Sequence, residues 1–235
     1  MITKLKTLTQ NQSIMRYAKN SAWMLAEYAL KIISAIFVTI YVARYLGPEQ
    51  FGLLSYALAI VAIFMAVSRL GMESILVRDI AKYPDQSQAY MSTAFGLMVI
   101  AAIAGLVVVS TLIYFIETDP KTQLYIWIIA TGILFQTLLV IDYNFQAQVK
   151  AKFSSIAKSI ALGLSSIIKI YLVWIQADLM HFAIAYAIDH AIIGTMLIIM
   201  HLHKKQLNFL KGFNGSLIKP LLKSAWPMVL LGLTG

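Results

Sequence analysis

Ionisable side chains interrupt otherwise apolar runs of this 235-residue chain, and they are the first places to look for chemistry. Glu27 and Lys31 stand four residues apart with Glu first, the favourable order for an intrahelical ion pair. At 1.5 Å per residue from Ser21, Lys31 lies about 15 Å into its run, near the middle of a bilayer. Charges at that depth are costly and as a rule face a water-filled interior. Two readings follow: a cavity-facing cation balanced by Glu27, with proton exchange between them, or a structural ion pair against a neighbouring helix. Asp189 and His190 put an acid beside a titratable imidazole, the pairing suited to proton coupling. They point about 100° apart on a helix, so they need not share a partner. The alternative is a buried acid bonded to a neighbour beside a satisfied core histidine. Lys169 lies toward the outer end of its run, from where its stem can snorkel to the headgroups. Arg44 and Asp142 lie near run ends, within reach of headgroups or water, and Arg44 is a candidate for lining an outer mouth. His181, His201 and His203 read as interfacial. Gly105, Gly132, Gly163 and Gly194 read as points of close helix packing.

The elements that must position these groups are long apolar helices. The chain is 60% hydrophobic and 12% charged, whereas a soluble domain is about a quarter charged. A spanning helix needs about 20 predominantly apolar residues. Runs of that length fall at Ser21–Leu46, Phe51–Leu70, Met91–Ile116, Gln123–Tyr143, Ser155–Ile175 and Leu179–His201. The stretch from Gly96 to Ile116 shows no polar face at all, unlike a soluble core helix. The expected class is therefore all-α: a polytopic six-helix transmembrane bundle, with the start of a seventh span from Ala225. The first run is too long, and its charged leader too polar, for a cleaved signal peptide.

Charge placement sets the orientation. With the N-terminus inside, inner segments hold Lys4, Lys6, Arg16 and Lys19, then Arg69, Arg78 and Lys82, then Lys150, Lys152 and Lys158. Lys204, Lys205, Lys211, Lys219 and Lys223 complete them. The outer loops keep Glu49, Glu117, Asp119 and Asp178 with Lys121 alone. This positive-inside pattern predicts a cytoplasmic N-terminus. It also assigns the formal charge of +9 to anionic membrane lipids, each cation contributing roughly 1 kcal/mol near the surface, and leaves no role for nucleic acid.

Four regions follow: a cytoplasmic arm over 1–20, the six-span bundle over 21–203, a basic inter-bundle linker over 204–223, and the opening of span seven over 224–235. Ile2, Leu5 and Leu8 give the arm the spacing of an interfacial helix. Gly47, Pro48 and Gly52 predict a sharp turn between the first two spans. Between Gly71 and Tyr90, the spacing of Ile75, Leu76, Ile80 and Tyr83 predicts a helix at the inner membrane surface. Near the start the chain reads KNSAWML and near the end KSAWPMVL, each where a Lys-flanked inner segment enters a span. The echo predicts that Ser224 opens a second copy of the unit begun at Ser21, with Pro227 in a first helical turn.

The stretch ARYLGPEQFGLLSYA (Ala43–Ala57), followed by LGMESILVRDIA (Leu70–Ala81), resembles the opening of bacterial polysaccharide flippases of the Wzx type. These belong to the multidrug/oligosaccharidyl-lipid/polysaccharide exporter superfamily. The resemblance implies two six-helix bundles around a central cavity, of which this chain would supply the first. It implies residence in the bacterial inner membrane and transfer of an undecaprenyl-diphosphate-linked oligosaccharide, such as an O-antigen or capsule unit, from the inner to the outer leaflet. Polysaccharide polymerase machinery would be a partner. Lys31, Arg44 and Lys169 become candidates for the anionic substrate, and Glu27, Asp189 and His190 for ion coupling. Sugars and diphosphate cannot cross hydrocarbon unpaired, whereas a polar cavity with cations removes that cost.

Other classes find little support. There is no HExxH, GxxxxGK[ST] or GxSxG and no cysteine. No cofactor or metal is expected, no loop is large enough for a sugar-transferase domain, and energy would come from an ion gradient. A related drug or cation exporter, or an inactive membrane subunit, are the remaining expectations.

Overall fold

A computed structural model describes residues 2–204 and 209–234; at 2–14, 16, 226 and 228–234 the description stops at the backbone. The amphipathic reading of Ile2, Leu5 and Leu8 and the Trp226 of the second Ser-Ala-Trp therefore fall on side chains outside the described set, and Lys205 lies outside it altogether.

The described chain is helical, without strands. Helix α1 (Ile2–Ser68) passes residue 20 unbroken, but Gly47 interrupts it with φ 73 and ψ 172. That backbone conformation suits a residue without Cβ, and Pro48 pre-sets φ for the helix that restarts. Glu27, Lys31 and Val38 before the kink and Leu58, Met65 and Arg69 after it line one common cavity. A straight helix would hold Glu27 and Arg69 about 60 Å apart, so the chain folds back at Gly47 as its sequence predicts. Val42, Leu46, Leu54, Ala57 and Val61 are buried around this turn, and the Tyr45 hydroxyl donates to the Ala177 carbonyl at 3.0 Å.

Leu70 and Gly71, both left-handed, turn the chain into α2 (Met72–Lys82). Ile75, Leu76 and Ile80 are buried among protein side chains, so this predicted helix spends its apolar face on the bundle. Helix α3 (Ser87–Ile116) is next. Helix α4 (Pro120–Ala130) starts under Asp119, whose carboxylate accepts from the Thr122 N–H at 3.0 Å and its hydroxyl at 2.6 Å. Those bonds, the hydroxyl's first, hold the Asp119 carboxyl below its ordinary range.

The expected fourth span is not one regular helix. It comprises α4, a short α5 (Gly132–Phe135), a 3-10 turn over Gln136–Leu139 and α6 (Val140–Ala147). Thr131 and Thr137 donate back to the carbonyls of Ile128 and Leu134, an alternative to the regular ladder that bends helices. Then come α7 (Ala151–Trp174), α8 (Leu179–His203) and α9 (Ile218–Thr234).

The segment before α9 is hydrogen-bonded to α3. Its Lys211 carbonyl accepts from Ser92 and from Gln88 at 3.1 Å, and Asn214 and Thr93 exchange hydrogen bonds at 3.0 and 3.3 Å. Phe209 is buried in an edge contact with Phe95. Because α9 begins at Ile218, Pro227 lies in a helix interior rather than a first turn.

Two cores result. One surrounds the Gly47 turn with α3, α4 and the α7–α8 connection. The other joins α2, α3, α6 and the segment around α9. Among the described residues five stretches are long and apolar enough to cross a membrane: Tyr17–Lys82, which contains the Gly47 reversal, Pro84–Ile116, Pro120–Ala147, Ala151–Trp174 and Leu179–His203.

Candidate functional site

Small residues let the helices approach. A Cβ on Gly132 would lie 2.8 Å from His190 and 3.1 Å from Met65, and one on Gly194 would lie 2.5 Å from Leu138. A Cβ on Gly105 would meet the Ser68 hydroxyl at 2.6 Å. Gly163 differs from the packing role expected of it: nothing stands within 4 Å of its Cβ position. Between these contacts α1, the broken α4–α6 segment, α7 and α8 enclose a cavity of 590 Å³.

One wall is the first arm of α1 laid parallel on α7. Asn20 Oδ1 accepts from the Ala151 N–H at 2.7 Å, capping α7 from a different helix. Lys152 lies 5.4 Å from the Trp23 ring centroid. Glu27 and Lys158 keep the same 131-residue offset and form an ion pair at 2.9 Å. None of the described side chains from 17 to 41 is fully buried, so this arm is held mainly by polar contacts at its start.

Glu27 therefore pairs across helices and not with Lys31. The Lys158 ammonium lies between two carboxylates, since Asp142 accepts from it at 3.1 Å. Two acids around one cation outcompete an exposed i,i+4 pair, which is worth only about 0.5 kcal/mol. Asp142, expected within reach of water, is 4% exposed.

Deeper in the bundle Lys169 and Asp189 form an ion pair. Ser165 donates to the other Asp189 oxygen and accepts from Lys169 at 3.1 Å, and the ammonium lies 4.0 Å from the Tyr186 ring centroid. Lys169 is 6% exposed. It does not snorkel, because an acid and an aromatic face satisfy it inside. His190 lines the cavity beside Gly132. Arg44 is exposed and is not among the residues that line this cavity.

Sequence reasoning missed Arg69, Gln136, Asp142 and Lys158, all of which line the cavity. Arg69, Asp142 and Lys158 lie near run ends and read as loop charges or headgroup contacts, and Gln136 is a neutral residue within the fourth run. Arg69 Nε donates to Gln136 Oε1 at 2.9 Å. Among the described residues neither Arg69 nor Lys31 has a carboxylate within ion-pair distance. The lining holds four cations and four carboxylates: Lys158 and Lys169 are in direct ion pairs, whereas Lys31 and Arg69 touch no carboxylate among the described residues. The latter two can pair with an anion that enters.

A family model described as "Polysaccharide biosynthesis protein" matches residues 17–235. A Shigella flexneri protein named "Putative O-antigen transporter" is 32% identical over 94 residues. That alignment covers 39% of this chain and 22% of the relative, so the match spans well under two thirds of the relative's length. No solved structure matches the chain.

Proposed function

The chain belongs to the polysaccharide biosynthesis protein family, and we propose that it is a carrier, not an enzyme, for lipid-linked oligosaccharides. In this reading it is a multi-pass protein of the bacterial inner membrane with a cytoplasmic N-terminus. The two arms of α1 are separate spans, and the region after Ser224 opens a further bundle. The cargo is an undecaprenyl-diphosphate-linked repeat unit moving from the inner to the outer leaflet, where polymerase machinery would use it. The name of the Shigella relative supports an O-antigen unit as the cargo type.

The single observation that carries this reading is a cavity lined by charged groups, with Lys31 and Arg69 out of direct ion pairs, inside a bundle of apolar helices. Both cations are exposed and line the cavity, and a diphosphate is the kind of group that pairs with such cations. Glu27, Asp142 and Asp189 hold Lys158 and Lys169 in the resting wall, and Asp189 with His190 remains the proposed locus of ion coupling.

The test is the chromosomal allele Lys31→Ala in the source strain. The expected outcome is loss of surface polymer with the protein still in the membrane at its normal level. Normal polymer at that level would remove Lys31 from the carrier.

A further inference from the structure

Gln136 sits on the 3-10 turn that breaks the fourth apolar stretch, its side chain lining the cavity and only 3% exposed. Arg69 N–H groups can only donate, so their bond fixes the amide oxygen of Gln136 toward Arg69. That leaves the amide nitrogen, which is buried and has no hydrogen-bond partner among the described residues. A buried unpaired donor costs free energy and calls for an acceptor.

The choice of an amide matters as much as its place. Lys158 and Lys169 are held by carboxylates, which cancel their charge. Arg69 is held by a neutral group that orients the guanidinium without cancelling it. Its Nη groups stay available beside the idle Gln136 Nε2. One cation and one neutral N–H on side chains that are hydrogen-bonded to each other suit an oxygen with negative charge and several lone pairs. Glu73 also lines the cavity, so the ligand must offer more than a single weak acceptor to displace water there.

We propose that Arg69 and Gln136 form an oxyanion cradle for a phosphate-type oxygen, in which Gln136 is both a positioning residue for Arg69 and a direct donor to the ligand. The assignment rests on the carrier reading for its biological meaning but not for its chemistry. A phosphate-type oxygen can come from a prenyl diphosphate or from a bulk phospholipid headgroup.

The experiment uses the purified full-length protein in detergent, titrated separately with inorganic pyrophosphate, geranylgeranyl diphosphate and phosphatidylglycerol. Wild type, Gln136→Glu and Gln136→Met are compared, with melting temperature recorded for each. Gln136→Glu keeps the acceptor for Arg69 but replaces the free N–H by a charged oxygen. Its melting temperature should hold or rise, while its affinity for the diphosphates falls about tenfold or more. Gln136→Met should lose affinity as well, with a lower melting temperature. Diphosphate binding without phosphatidylglycerol binding assigns the cradle to a prenyl diphosphate. Phosphatidylglycerol binding that Gln136→Glu weakens assigns it to bulk lipid. Wild-type affinity in Gln136→Glu, or no binding of any of the three by the native protein, overturns the cradle. Weakened diphosphate binding with normal surface polymer would keep the cradle and sink the carrier reading. Lost polymer with unchanged diphosphate binding would do the reverse.

Discussion

The Glu27 carboxylate accepts from Lys158 at 2.9 Å, across two helices and 131 residues, and not from Lys31 one turn along its own helix. Lys158 also serves Asp142. One ammonium therefore ties α1 and α6 to α7 at the cavity, and leaves Lys31 without an acidic partner among the described residues.

The first prediction concerns that shared cation. Lys158→Met strands the buried Asp142 carboxylate and should cost about 3 kcal/mol or more, as removing one partner of a buried pair does. Glu27→Gln should cost less, because Lys158 keeps Asp142. Denaturation midpoints of the two variants in detergent decide it, and the reverse order would contradict the geometry.

Lys169 and Asp189 should behave as one unit. Each of Lys169→Met and Asp189→Asn leaves a charge or an idle donor inside the bundle, beside Ser165 and Tyr186. The double variant should be less destabilised than the sum of the singles, by about 1–3 kcal/mol. Strict additivity in a double-mutant cycle would mean that the pair does not form.

Two glycines on neighbouring helices should respond in opposite directions. Gly194→Ala puts a methyl 2.5 Å from Leu138 Cδ1 and about 3.3 Å from its Cβ, and should destabilise by about 1–3 kcal/mol through overpacking. Gly163→Ala meets nothing within 4 Å and should stabilise by up to about 1 kcal/mol, the helix-propensity gain. Thermal melts of the two variants are enough to check the contrast.

Val149 holds φ 56 in the turn between α6 and α7. A β-branched residue is poorly suited to that region, whereas Asn tolerates it. Val149→Asn should raise stability by about 1 kcal/mol, or roughly 2–4 °C in melting temperature. A lower melting temperature would mean that the valine side chain contributes packing beyond its backbone strain.

The sequence made the apolar helices legible because hydropathy and length are local properties. The Gly47–Pro48 reversal and the helix at Met72–Lys82 were legible for the same reason: turn chemistry and the Ile75, Leu76, Ile80 spacing are written within a few residues. The charge partners were not. Glu27 has a local candidate in Lys31 and a distant one in Lys158, and only the parallel packing of α1 on α7 decides between them. Lys169 reads as a snorkelling residue until Asp189 of α8 is placed beside it. Arg69 and Gln136 each look ordinary, one a basic residue at a run's end and the other a polar interruption of a span. Their joint meaning appears only when the broken fourth stretch carries Gln136 to the end of the α1 hairpin.

The most direct test of the carrier reading follows the sidedness of the cargo itself. In the source strain, lipid-linked oligosaccharide reaching the outer leaflet can be oxidised by impermeant periodate and counted against the total pool. With the native allele the pool should become accessible. With Lys31→Ala combined with Arg69→Gln, at equal protein level in the membrane, the lipid-linked units should accumulate and stay protected. Oxidation at the native rate in that double variant would contradict the claim that Lys31 and Arg69 of this cavity carry the substrate.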